Sequence, residues 1–467
     1  METTHMTIGG RVAAVVDTFP VENPADAEVF AAAPAATVEQ VDAAVTAART
    51  AHPRWAALPI DGRRAHLRKC GAALSAAADE IAALLTREQG KPLVKARAEV
   101  ELSATWFSDT AGQDLAVEDL GDAGAEIRLQ HKPYGVVAAI TPWNYPIILA
   151  VCKLAPALLA GNTVVLKPSP ETPLSSLLMT EVLCEVLPSG VLNVVSGAGP
   201  VGRALVEHAG VDKVSFTGSV QTGLAIAAST AQRLQRPTLE LGGNDAAIVL
   251  PDAPVAEIAE RLFWAAFENS GQYCTAVKRV YAHRVVYSDL VDALRAQAEQ
   301  VVVGDGMDPT TQLGPLVSAH QLDRVAALVE QAVAGGGQVV AGGRRLDRPG
   351  HFYAPTIVAG AEPDSRLVQE EQFGPVLPIL PFDTVEEAVT QANSTTFGLG
   401  GSAWGESDRA TEVAAELECG TAWINTHGDL RHGVPFGGYR QSGAGVEYGT
   451  LGLLEYTRPR VTHVRRV

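Results

Sequence analysis

The 467-residue chain has only five cysteines, at 70, 152, 184, 274 and 419, and no two of them form a Cys-x-x-Cys pair. An odd, scattered set excludes a disulfide framework and a cysteine-held zinc site, so no metal is expected. A basic block is also missing: 36 Lys and Arg stand against 53 Asp and Glu, for a net charge of −17. Such a surface repels a phosphate backbone, which excludes nucleic acid as a partner. The closing "RPRVTHVRR" is locally basic, and a short solvated tail accounts for it. The opening "METTHMTIGG" has neither a basic stretch nor an apolar core, so no secretory signal is read there. No uninterrupted apolar run spans a membrane either. The longest candidate, "GVVAAITPWNYPIILAVCKLAPALLAGNTVVLK", is broken by Pro142, Asn144, Pro146, Lys153, Pro156 and Asn162. It reads as strand, loop, helix, strand in a buried core. What these absences leave is a cytoplasmic globular protein with no membrane partner.

The chain is longer than one core supports, and its 47% apolar and 19% charged residues are ordinary for a globular protein, so two or more domains are expected. Residues 37 to 107 look helical, opening on Thr37 and Gln40 in capping-box spacing. From about 133, short apolar runs (135–141, 163–167, 191–195, 213–216, 246–250) alternate with segments of helical length and period. A second alternating block has helices near 254–269, 287–301, 318–334 and 384–392, and strands near 277–283, 337–341 and 376–380. Its last helix is expected to start on Asp383 as N-cap, with Glu386 three residues later. Strands apolar enough to be buried on both faces, separated by helices, predict an α/β fold with doubly wound parallel sheets. Two such blocks would flank a cleft, and a strand-like "TAWIN" (421–425) closes the second.

Some segments are rich in residues that chemistry uses and packing does not need. "FENSGQYC" (267–274) ends a helical pattern on a cysteine preceded by Asn269, Ser270, Gly271 and Gln272. A cysteine kept for packing sits among apolar neighbours, so Cys274 is either a half-buried loop residue or a nucleophile. "TPWNYP" (141–146) follows a buried strand, where the carboxyl ends of a doubly wound sheet meet ligands. Its Asn144 is a turn residue or an amide donor to an oxyanion. "FTGS" (216–219) is a tight turn or a helix start that approaches a phosphate closely. "LELGGN" sets Glu240 between leucines, which suits a general base with a raised pKa unless it is simply solvated. "EEQFGPV" (370–376) offers a ring and carboxylates to a ribose. No Gly-x-Gly-x-x-Gly follows the first strand, so a dinucleotide site here would be unusual.

With "LKPSPETP" and "PFGGYRQSG", these segments in this order resemble the aldehyde dehydrogenase superfamily over roughly residues 20 to 460. The resemblance implies that Cys274 attacks the aldehyde carbon, with Asn144 and the Cys274 backbone N–H holding the oxyanion. Glu240 then activates the water that hydrolyses the thioester, and Lys153 with Glu447 matches positions proposed to relay protons. NAD is the implied cofactor, with NADP tolerated because Pro170 stands where strict NAD users carry a glutamate. Its implied contacts are Thr141, Trp143, Lys167, Gly218, Ser219, Leu241, Glu371 and Phe373. Tyr145, Leu149, Cys152, Tyr273, Thr275, His427 and Phe436 would line the substrate tunnel, whose mouth is the loop from Thr426 to Phe436.

By the same resemblance, residues 1–109 and 131–239 form a Rossmann-like cofactor domain and 240–419 a catalytic domain. Residues 110–130 with 420–467 form a small β element for a homodimer or homotetramer. Semialdehyde-oxidising relatives carry arginine at the position of Cys152, so an uncharged aliphatic or aromatic aldehyde is expected, unless Arg431 reaches inward from the mouth. Coenzyme A-acylating relatives lack the glutamate matching Glu240, which favours water as acceptor. Non-catalytic relatives would have lost the cysteine or the cofactor residues, and here both are present.

Overall fold

A computed structural model describes residues 4–122 and 125–465. The first residues of "METTHMTIGG", two residues of the expected 110–130 hairpin and the end of the basic tail lie outside them. Two parallel-dominated sheets organise the chain. The first runs in the order Gly443–Ala444, Thr238–Glu240, Lys213–Thr217, Val136–Ile140, Thr163–Lys167, Leu192–Val194. All pairs are parallel except the outermost, Thr238–Glu240 with Gly443–Ala444. The strands are short, fully buried and rich in Val, Leu and Ile, because helices cover both faces. Val136–Ile140 comes first in the chain yet lies in the middle. Its carboxyl end and that of Lys213–Thr217 therefore border the crevice where the strand order reverses, which is where such sheets take ligands.

The second sheet runs Gln338–Ala341, Thr356–Ala359, Val376–Phe382, Val277–His283, Asp245–Val249, Gly400–Trp404, Thr421–Ile424. Only Gln338–Ala341 is antiparallel to its neighbour. Residues 241–244 lead from the carboxyl end of Thr238–Glu240 directly into the amino end of Asp245–Val249. The chemistry-bearing edges of the two sheets are thereby joined through "LGGN". A third, antiparallel sheet pairs Thr457–Val464 with Glu126–Pro133 along eight residues, and Glu118–Asp119 adds a short edge.

Local signals behaved unevenly. Thr37 and Gln40 form the reciprocal capping box at Val38–Ala57. The helix near 384 starts one residue later than expected: Thr384, not Asp383, is its N-cap and accepts from the Glu387 N–H. Asp383 is withdrawn from capping because its carboxylate binds Arg284 at 2.7 and 2.9 Å. The helix expected over 254–269 ends at Phe267, in a short 3-10 turn. Among the described residues, no helix is long and apolar enough to cross a membrane.

Candidate active site

Between the helix end at Phe267 and Cys274 the chain is a strained turn. Asn269, Ser270 and Gly271 adopt φ of 50°, 57° and 69° in succession. Left-handed backbone costs an L-residue about 1–2 kcal/mol, so something must hold it. Asn269 Nδ2 donates to the Asn144 carbonyl at 3.1 Å, Ser270 Oγ to the Gly314 carbonyl at 2.7 Å, and Lys278 Nζ to the Gly271 carbonyl at 2.7 Å. Gln272 Oε1 accepts from Val317 N at 2.9 Å. Gly271 is obligatory, since a Cβ there would lie 2.2 Å from the Gly374 oxygen. The turn delivers Cys274, half-buried, immediately before the strand Val277–His283. Burial pushes its thiol up to about 12, reinforced by the carboxylates of Glu371, Glu240 and Asp245 and opposed by Lys278. In this state Cys274 is a thiol.

Glu240 ends a strand of the first sheet, and both its carboxyl oxygens are buried without a hydrogen-bond partner among the described residues. Burial, then the nearby Glu447 carboxylate, raises its pKa well above 4.5, against the pull of Lys153. Lys153 and Glu447 form a closed ion pair of 2.5 Å whose side chains are 0% and 2% exposed. Asn144 is buried at the start of Pro146–Ala160, and among the described residues its side-chain amide makes no hydrogen bond. Glu240 lies within electrostatic reach of Cys274 on one hand and of the Lys153–Glu447 pair on the other.

On the other side of the crevice stand the groups expected to meet a dinucleotide. Thr141 N donates to the Lys167 carbonyl at 3.1 Å, fixing two strand ends together. Lys167 is buried, which draws its pKa down to about 8, and its Nζ donates to the Pro168 carbonyl at 2.9 Å. Gly218 N donates to the Glu240 carbonyl at 3.1 Å, and Ser219 caps the helix Val220–Ala231. Leu241 covers Gly223, where a Cβ would lie 2.5 Å from its side chain. Glu371 accepts from Gly243 N at 3.0 Å, and burial raises it to about 7. Phe373, at a strained φ of 53°, meets Trp143 edge to face with centroids 5.3 Å apart.

A Gly-x-Gly-x-x-Gly fingerprint is also present, after a later strand than the first. Gly197-Ala198-Gly199-Pro200-Val201-Gly202 follows the strand Leu192–Val194 and opens the helix Gly199–Glu207. Gly197 has φ 145°, and the Cβ position of Gly202 is 3.5 Å from the Lys167 side chain. The signal was legible: it follows a later strand than the first, which is where the motif was expected. Glycine backbone at a helix start beside a lysine fits a pyrophosphate and ribose.

The tunnel residues fall into two groups. Tyr145, Leu149 and Tyr273 are half-buried, and the two tyrosine rings meet edge to face at 6.3 Å. Cys152 and Phe436 are buried, Phe436 stacked on Tyr448 at 5.6 Å. Thr275 is 0% exposed. His427, expected on the mouth, does not line it. Its side chain is 0% exposed and turned inward, toward Asp245, Ser402 and the Thr275 carbonyl. Arg431 points outward, 73% exposed and paired with Asp429 at 2.7 Å.

Comparison with known proteins follows the same line. The profile of the Aldehyde dehydrogenase family matches residues 12–462. The phenylacetaldehyde dehydrogenase of Pseudomonas fluorescens is 40% identical over 98% of this chain and 95% of its own. Among solved structures, the NAD+ complex of an aldehyde dehydrogenase from Bacillus cereus superposes with a TM-score of 0.97 at 37% identity, covering 99% of this chain and 97% of that one. The betaine aldehyde dehydrogenase of Staphylococcus aureus with NAD+ gives a TM-score of 0.96 at 32% identity, over 99% and 95% of the two chains.

Proposed function

Because the chain belongs to the aldehyde dehydrogenase family, we propose that it oxidises an uncharged aldehyde, aromatic or medium-chain aliphatic, through a thioester on Cys274. It is an NAD-dependent aldehyde dehydrogenase. The observation that carries the residue assignment is Glu240: a buried carboxyl with no hydrogen-bond partner among the described residues, close enough to Cys274 to raise its thiol pKa. A structural carboxylate would be paired, whereas a group awaiting water is left free.

The residues divide the work. Cys274 sulfur bonds to the aldehyde carbon, and its proton passes through Glu240 and past the Lys153–Glu447 pair to solvent, which leaves Glu240 charged for the second step. The free amide of Asn144 and the Cys274 N–H meet the oxygen as it becomes negative. NAD, when bound, supplies the hydride acceptor; Thr141, Trp143, Lys167, Gly218, Ser219, Leu241, Glu371 and Phe373 would hold it. Glu240 then takes a proton from the water that cleaves the thioester, releasing the acid and the Cys274 thiol. Tyr145, Leu149 and Tyr273 wall the substrate, with Cys152 and Phe436 behind them, and an arylacetaldehyde resembles what the Pseudomonas relative is named for.

The cofactor domain is assigned to residues 1–109 and 131–239, the catalytic domain to 240–419, and 110–130 with 420–467 to self-association as a homodimer or homotetramer. Five free cysteines suit the reducing cytoplasm. The test is formation of reduced nicotinamide by the purified protein, with and without coenzyme A, for wild type and Cys274→Ala. Turnover that survives in Cys274→Ala, or that requires coenzyme A, refutes the scheme.

A further inference from the structure

The proposed oxyanion amide and the first tunnel wall are neighbours, Asn144 and Tyr145, and both rest on one cation that the mechanism does not use. Lys91 is buried, its side chain 1% exposed, and its ammonium meets three groups at once. Nζ donates to Glu99 Oε2 at 2.5 Å and to the Asn144 carbonyl at 2.7 Å, and it lies 3.7 Å from the centroid of the Tyr145 ring. An ammonium has three protons, so its valence is filled. Glu99 completes the unit with its other oxygen. Glu99 Oε1 accepts from Ile147 N at 2.9 Å and Ile148 N at 3.2 Å. These are unsatisfied first-turn amides of Pro146–Ala160, a helix whose N-cap residue, Tyr145, provides no capping side chain. The same Asn144 carbonyl receives Asn269 from the strained turn before Cys274.

A buried ion pair is rarely the most stable filling for its volume, since an apolar pair of similar size loses no hydration. Its retention asks for a reason beyond stability, and its partners supply one. We propose that Lys91 and Glu99 are positioning residues that fix Asn144 and Tyr145 relative to Cys274. They hold the backbone on both sides of the amide: Lys91 grips the carbonyl of Asn144 and the ring of Tyr145, and Glu99 anchors the helix start that follows. This rests on the assignment of Asn144 as oxyanion donor.

The test pairs Lys91→Met with Glu99→Gln in one variant, which keeps volume, removes both charges and leaves an amide oxygen to accept from Ile147 and Ile148. Three readouts are taken: the single-turnover burst of reduced nicotinamide at saturating aldehyde, alkylation of Cys274 by iodoacetamide, and NAD affinity. The burst is expected to slow about ten- to a hundredfold, as a misplaced catalytic group does. Alkylation and NAD affinity should stay within about twofold of wild type, because neither uses the oxyanion amide. In an Asn144→Ala background the same exchange should add less than about threefold, since the amide it positions is gone.

A wild-type burst in the folded exchange variant overturns the proposal, as does a loss that multiplies that of Asn144→Ala. If Asn144→Ala alone leaves the burst intact, it is the oxyanion assignment that has failed, and the clamp falls with it. Should the exchange variant not fold, Lys91→Arg carries the test. Its planar fork keeps the charge beside Glu99 but cannot reproduce the three contacts. A slowed burst with normal alkylation then supports the clamp, and a wild-type burst refutes it.

Discussion

His427 Nε2 donates to the carbonyl of Thr275, the residue after the proposed nucleophile, at 2.8 Å. A carbonyl only accepts, so the proton is on Nε2. Nδ1 faces Ser402 Oγ at 2.9 Å, and that hydroxyl already accepts from Trp404 Nε1 at 2.9 Å. Asp245 Oδ2 lies 3.5 Å from His427 Nε2 and has no hydrogen-bond partner among the described residues. A histidine that is not part of the mouth thus sets the backbone immediately after Cys274.

Replacing it should cost both stability and rate. His427→Ala strands the Thr275 carbonyl and removes the polar group facing Asp245 Oδ2, while Asp245 Oδ1 keeps the Gly400 N–H at 3.1 Å, a loss of about 1–3 kcal/mol for the unpaired carbonyl. The thermal midpoint should fall and kcat should drop, while the NAD dissociation constant stays put. A variant with wild-type kcat would show that the nucleophile's backbone needs no such tether.

The raised pKa of Glu240 fixes a sign for pH dependence. Thioester hydrolysis needs its charged form, so the deacylation rate should climb as pH rises through the shifted value. Glu240→Gln should flatten that climb and lower the plateau. Stability runs the other way. An unfolded chain releases this proton near 4.5, while the folded protein resists ionising it. Wild type therefore loses stability as pH rises from about 4.5 through the folded value, and Gln does not. The thermal midpoint of Glu240→Gln, relative to wild type, should be higher at pH 8 than at pH 5. A difference independent of pH would mean that Glu240 is not held neutral in the fold.

What the sequence revealed and what it hid follow from the range of the interactions involved. The buried strands Val136–Ile140 and Thr163–Lys167 and the box at Thr37 are local, so their residues announce them. The hairpin of Asp17–Asn23 with Glu28–Ala35 is Ala- and Pro-rich and lacks alternation, and only its pairing makes it sheet. Cys274 stood out for its small and polar neighbours, Glu240 for its place between leucines, and Asn144 for its turn at the end of a buried strand. Lys91 did not, since its meaning depends on Glu99 in the helix that follows it and on Asn144, 53 residues on in the loop before Pro146–Ala160. The direction of His427 was equally hidden: its partners Asp245 and Ser402 come from two other strands. The left-handed run at Asn269 and Ser270 has no sequence signature beyond the glycine that follows it.

Cofactor choice should be loose. Lys167 satisfies its ammonium on the Pro168 carbonyl, and Pro170 occupies the third place after it, with Glu171 displaced outward and exposed. No carboxylate is fixed where it would repel a 2′-phosphate. NAD should be preferred over NADP by less than about a thousandfold in kcat/KM, which is about 4 kcal/mol. A larger ratio, or a strong preference for NADP, contradicts this.

The substrate should carry no charge, because the cations closest to the pocket residues among those described already have partners. Lys91 is held by Glu99, Lys153 by Glu447 and Lys278 by the Gly271 carbonyl. Arg431 is turned to solvent on Asp429. Cys152 is buried, small and neutral. Glu268, whose charge would repel an anion, pairs with Lys95 at 3.4 Å. A substrate carboxylate entering beside Tyr145 and Tyr273 would lose its hydration and gain no ion pair. Phenylacetaldehyde, benzaldehyde or hexanal should therefore exceed succinate semialdehyde in kcat/KM by at least about tenfold, or about 1.4 kcal/mol. Arg431→Ala should leave both values unchanged. If the semialdehyde is the better substrate and Arg431→Ala erases that advantage, the mouth loop folds inward in the working enzyme and supplies the cation that its resting form keeps outside.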